Sequence, residues 1–162
     1  MDKTLKYGCK KNSTKGTIML ENLFVYALLL DVGFIPISEY GDYLDTSFTK
    51  KPDDNLLLEL EWSFSDIPKS IAIIYHYCNV CVVDYDAFGS FLCQKLSEIY
   101  FQYKNSINDF GSKAYAIWQR LPSVIHQTEP FWTLSYADDP LSWGDENQTR
   151  ELYEQMFFFY NK

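Results

Sequence analysis

From Val83 to Lys104 the sequence V-D-Y-D-A-F-G-S-F-L-C-Q-K-L-S-E-I-Y-F-Q-Y-K predicts one long amphipathic helix. Asp84 is a ready N-cap, with Val83 and Phe88 placed to close on each other across the first turn. Phe88, Phe91, Leu92, Leu96, Ile99 and Tyr103 then follow the i, i+3, i+4 spacing of one helical face. Gln94, Lys95, Glu98 and Gln102 fall mostly opposite, and Lys104 stands where the helix dipole favours a cation. The rest of the chain is expected to pack around this helix.

Upstream, Met19 to Asp31 is apolar nearly all round, which predicts a central helix, ended by Gly33 and Pro36. Ser38 to Phe48 suits a short helix weakened by Gly41. The run N-L-L-L-E-L-E-W-S-F is ambiguous: Leu56, Leu58, Leu60, Trp62 and Phe64 alternate as a strand would. Leucine and glutamate are helix formers without β-branching, however, and Asp53 or Asp54 can cap, so helix is preferred. Further helices are predicted from about Asp66 to Cys78 (capped by Ser65), from Phe110 to Leu121 (capped by Asp109), and from Asp145 to the C-terminus. Ser123 to Gly144, with Pro130, Pro140 and Gly144, reads as irregular.

The expectation is one mainly α-helical domain over residues 19–162, a bundle of about six helices. The alternative is α+β, with strands near Leu56 to Phe64 and Phe131 to Tyr136. Residues 1–18 carry five lysines against Asp2 and no periodic apolar face, so a basic, flexible tail is expected there. The remainder stands at −12, a charge that repels nucleic acid and anionic membranes and attracts a basic protein. Eight consecutive apolar residues, Leu23 to Leu30, are too few to span a bilayer. Four cysteines in a chain this long do not make a disulfide framework, which predicts reduced thiols and a cytoplasmic protein.

Most catalytic chemistries lack their residues here. There is no G-x-S-x-G elbow and no glycine-rich phosphate loop, and the two histidines, His76 and His126, adjoin no recognisable nucleophile. No cofactor is implied. His76, Cys78 and Cys81, with Cys93 as a fourth donor, form the one arrangement that zinc would want, but a single C-x-x-C is weak. Pro52-Asp53 followed by Glu59 and Glu61 has the carboxylates of a metal-dependent nuclease or hydrolase, with Glu61 where the assisting lysine belongs. The acid pairs Asp138–Asp139 and Asp145–Glu146 suit solvated turns better than a glycosidase's spaced carboxylates.

The strongest functional signal is the mixing of acids and flat rings near the C-terminus. Thirteen Tyr and four Trp exceed what a small core holds with every polar tip satisfied, so several rings belong at the surface. Between Glu129 and Glu154, Trp132, Tyr136 and Trp143 are interleaved with Asp138, Asp139, Asp145 and Glu146, against Arg150 alone. Carboxylates steer a positive partner and rings anchor it. Asp42, Tyr43 and Asp45 are expected to extend the same face. The sequence therefore predicts a non-enzymatic acidic binding module, in its most concrete form an immunity-type inhibitor that occludes the active site of a basic toxin. A self-associating structural subunit is the third reading.

Overall fold

The computed structural model describes residues 19–161. Among them the chain forms seven α-helices, two short 3-10 helices and no β-strand. The α-helices are α1 (Met19–Asp31), α2 (Ile37–Lys50), α3 (Asn55–Trp62), α4 (Ile67–Val80), α5 (Tyr85–Gln102), α6 (Ile107–Arg120) and α7 (Glu146–Phe157). The 3-10 helices are Phe131–Ser135 and Asp139–Trp143, between α6 and α7. The mainly helical class holds, the helices outnumber the six expected, and the small sheet is overturned. The expected tail, residues 1–18, lies outside the described residues.

Neither strand of the α+β alternative forms, for local reasons. Over residues 55–62 the Leu/Glu run has no β-branching to favour an extended chain, and the Asp54 carboxylate accepts the Leu57 N–H at 3.1 Å, capping α3. Helical phase then buries Leu56, Leu57 and Leu60 and turns Trp62 outward, against the alternating pattern. At Phe131–Ser135 the chain turns tightly instead of extending, with the Thr133 N–H donating to the Pro130 carbonyl and the Ala137 N–H to that of Thr133.

The hub is α1 rather than α5. From Leu23 to Leu29 every residue is buried, and α1 packs against α2, α4, α5 and α6. A helix with no polar face has to be covered on every side. α5 lies beside it, with Phe88 stacked on Phe24 at a ring separation of 4.7 Å and with Leu92 and Leu96 buried. The Asp84 carboxylate accepts the Asp86 and Ala87 N–H groups, as its capping position predicts. α5 ends at Gln102, and Lys104 lies two residues beyond it.

Two other caps differ from expectation. Ser106 rather than Asp109 caps α6, its hydroxyl accepting the Asp109 N–H at 3.2 Å. Asp66 rather than Ser65 caps α4. The stretch expected to be irregular contributes to the core: Phe131 stacks on Phe88 at 5.7 Å, and Leu134, Ala137 and Pro140 are buried. The first 3-10 helix packs on α6 and α7 and the second on α7, which places the acid-and-aromatic stretch at that end of the bundle.

Candidate functional site: an acidic, aromatic surface around the start of α7

The metal-ligand candidates do not converge. His76 is exposed on α4, Cys81 is disulfide-bonded, and Cys93 is buried in α5. The expectation that the cysteines are all reduced is thus corrected at Cys81, while Cys78 and Cys93 are free thiols. Burial pushes both of those thiols up to about 12, and the Glu21 charge adds to the effect at Cys78.

The nuclease-like carboxylates are dispersed in the same way. Asp53 lies exposed in the α2–α3 turn, and Glu59 accepts a hydrogen bond from the Tyr77 hydroxyl at 3.0 Å. Burial raises the Glu61 carboxyl above its ordinary range, with Asp45 adding to it. Among the described residues no group of three or more His, Cys, Asp or Glu is placed to hold a metal ion.

The acid-and-aromatic residues fall into two neighbouring groups. On the first 3-10 helix, Trp132 is 39% exposed. It meets the Trp118 ring edge-on at 6.2 Å and the Tyr136 ring at 6.5 Å, so it is held at an angle rather than left to swing. The buried Thr133 donates to the Glu129 carboxylate at 2.7 Å and fixes the turn beneath them.

Around the second 3-10 helix, Trp143 is 63% exposed. The chain reverses directly after it at Gly144, whose φ of +82° is a conformation that favours glycine. Asp139 is exposed nearby in sequence. Asp145 is exposed as well, and its carboxylate accepts the Gln148 N–H at 3.0 Å, capping α7.

Two of the acids expected on this surface are committed elsewhere. Glu146 pairs with Arg150 at 2.6 Å one turn along α7, which cancels its charge locally. Asp138 is half-buried against Gly111, and burial raises its carboxyl, with the Asp139 charge adding to the shift. The residues left to meet a partner are Trp132, Tyr136, Asp139, Trp143 and Asp145.

The α2 residues do not join them. Tyr43 stacks on Tyr26 at 4.5 Å and belongs to the packing between α2 and α1. Asp42 and Asp45 are exposed, but α2 packs on α1 and α3, whereas the 3-10 helices pack on α6 and α7. Sequence reading also missed rings that the fold exposes: Trp62 at 83%, and Phe101 and Phe158 at the ends of α5 and α7. Counting helical phase from Leu60 and from Phe157 is the signal that finds Trp62 and Phe158.

No family model, no curated protein and no solved structure matches this chain.

Proposed function

We propose that the protein is a non-enzymatic, acidic protein-binding module, and most concretely an immunity-type inhibitor that occludes the active site of a cognate basic toxin. The observation that carries this reading is the exposure of Trp143, with Asp139 and Asp145 exposed close to it in sequence and in no ion pair among the described residues. A rigid ring flanked by charges combines an anchor with a steering field. The −12 carried by residues 19–162 extends that field over the body of the molecule.

The test is capture of a basic partner at low salt, followed by binding measurements with Trp143→Ala. Loss of the anchor is expected to weaken binding by at least about 10-fold, and the wild-type association rate is expected to fall steeply with added salt. A partner bound equally well by Trp143→Ala, at a salt-independent rate, would sink the reading.

The cytoplasm is the proposed compartment, resting on the free thiols of Cys78 and Cys93. The disulfide at Cys81 pulls the other way. Alkylation of the protein during extraction from its host decides between them: a disulfide at Cys81 that survives it moves the protein to an oxidising compartment.

A further inference from the structure

Acids and rings also meet where α2 packs on the end of α3, on helices other than those that carry Trp143. Gly41 in α2 makes the meeting close. With no side chain there, the Phe64 ring settles onto the helix: a Cβ on Gly41 would lie 3.0 Å from the Phe64 Cζ. The same ring stacks on Tyr40 at 6.0 Å. Asp45 stands one turn along α2 from Gly41, on the same face. Glu61 stands one turn back from Phe64, whose N–H donates to the Glu61 carbonyl at 3.4 Å. The two carboxylates therefore share one corner, and the Asp45 charge is felt at Glu61.

Two polar atoms in this corner are buried without a hydrogen bond, the Glu61 Oε1 and the Tyr40 hydroxyl. Tyr40 is fully buried. Burial pushes its phenol up to about 12; the Ser70 hydroxyl opposes this and the Glu61 charge adds to it, so the phenol oxygen lies near both side chains. Ser70 does not complete it, because its own proton goes to the Ser63 carbonyl at 3.0 Å. Neither Asp45 nor Glu61 is in an ion pair among the described residues. A buried oxygen without a donor is costly, and neighbouring carboxylates repel. One cation brought from outside answers both.

We propose that this corner is the seat of a lysine side chain from the basic partner, its ammonium donating to Glu61, Asp45 and the Tyr40 oxygen. The proposal rests on the reading of the protein as an acidic binding module and gives it a contact separate from Trp143. An ammonium carries three donors on a flexible stem, which suits acceptors offered by two helices from different directions. The flat guanidinium fork suits a single carboxylate. Phe64, partly exposed, borders the corner and covers the aliphatic stem. Trp62, the residue after Glu61, turns most of its ring to solvent on the outer face of α3. A ring of that size beside the corner anchors a protein surface and does nothing for a free amine, which commits the occupant to a protein.

The probe is Nα-acetyl-lysine methylamide, titrated into the full chain at low salt and followed by backbone amide NMR. Its Nε-acetylated form, with the same stem and no charge, is the control. The lysine amide is expected to shift signals of residues 40–45 and 61–64 saturably, in the millimolar range, and the control is not. Glu61→Gln with Asp45→Asn is expected to weaken it roughly 10-fold, and Tyr40→Phe several-fold. Tyr40→Phe also removes an unpaired buried hydroxyl, so its thermal midpoint should equal or exceed that of the wild type while the lysine amide is lost. A purely structural Tyr40 would not separate the two.

Absence of a saturable shift, equal shifts from the acetylated amide, or shifts that survive in Glu61→Gln, Asp45→Asn overturns the site. A captured partner that binds this double variant as tightly as the wild type, but is lost in Trp143→Ala, overturns the lysine seat and leaves the binding-module reading standing. Saturable binding of the lysine amide with no basic partner captured leaves the ammonium site and removes the reading on which its occupant rests.

Discussion

Trp118 and His126 hold each other by three separate interactions. Their rings are stacked 3.9 Å apart and only 7° from parallel. The Trp118 indole N–H donates to the His126 carbonyl at 2.9 Å, and the His126 Nε2 lies 2.8 Å from the Trp118 carbonyl. A carbonyl can only accept, so Nε2 carries the proton. This reciprocal clasp pins the segment after α6 onto its last turn, and Trp118 also props Trp132.

Trp118→Phe keeps a ring but removes the indole donor, leaving the His126 carbonyl without it. The expected cost is about 1–3 kcal/mol in urea unfolding, with faster amide exchange across residues 123–130. Unchanged exchange in that segment would show that the clasp does not organise it.

Glu21 is a buried carboxylate in the first turn of the hub helix, and it accepts the Asp84 N–H at 2.8 Å. It ties the start of α1 to the start of α5. In Glu21→Ala that N–H loses its acceptor, and we expect a loss of about 2 kcal/mol. Glu21→Gln, which can still accept, should lose less. Equal losses in the two variants would mean that the space filled by the side chain matters and the hydrogen bond does not.

How much of this was legible in the sequence depended on whether a residue's surroundings were local. Asp84, Asp145 and Asp54 act within their own helix turns, and their capping followed from spacing alone. The phase of α5 was legible because six apolar positions repeat its period. Glu21 was not, because its acceptor role depends on a partner sixty-three residues away. Trp62 fits the alternation that a strand would need, and the helix, which was the preferred reading, turns it outward. At the candidate site, the nearness of Trp143, Asp139 and Asp145 was readable, being local. The pairing of Glu146 with Arg150 was also within reach, at i, i+4. The burial of Asp138 against Gly111 was not, since it needs α6 to be in place.

Gly89 sits where α5, the first 3-10 helix and the C-terminal residues meet. A Cβ there would lie 2.1 Å from the Tyr160 hydroxyl and 2.8 Å from the Phe131 Cζ. Alanine gains up to about 1 kcal/mol of helix propensity, against an overpacking cost of about 1–3 kcal/mol. Because Phe131 is a buried ring with little room to retreat, Gly89→Ala is expected to be net destabilising. In a Tyr160→Phe background the hydroxyl is gone and the cost should shrink, which a double-mutant cycle measures. Strict additivity of the two changes would place the clash elsewhere.

Asp138 gives a dependence on pH whose sign can be worked out. Burial, with the Asp139 charge adding to it, raises its carboxyl in the folded protein. A carboxyl that binds its proton more tightly when folded favours folding at pH values below its unfolded pKa. That advantage is lost as the pH rises through the folded pKa. At neutral pH the ionised Asp138 therefore weighs against the folded state. Asp138→Asn should raise the urea midpoint at pH 7, and the gain should shrink toward zero below about pH 4, where aspartate is itself protonated. Because Asp138 lies against Gly111, the same substitution should leave partner affinity nearly unchanged, whereas Asp139→Asn should slow association at low salt. An Asp138→Asn protein less stable than wild type at pH 7, by a margin that does not vary with pH, would show that ionisation of Asp138 is the same in the folded and unfolded chain and that its burial carries no electrostatic cost.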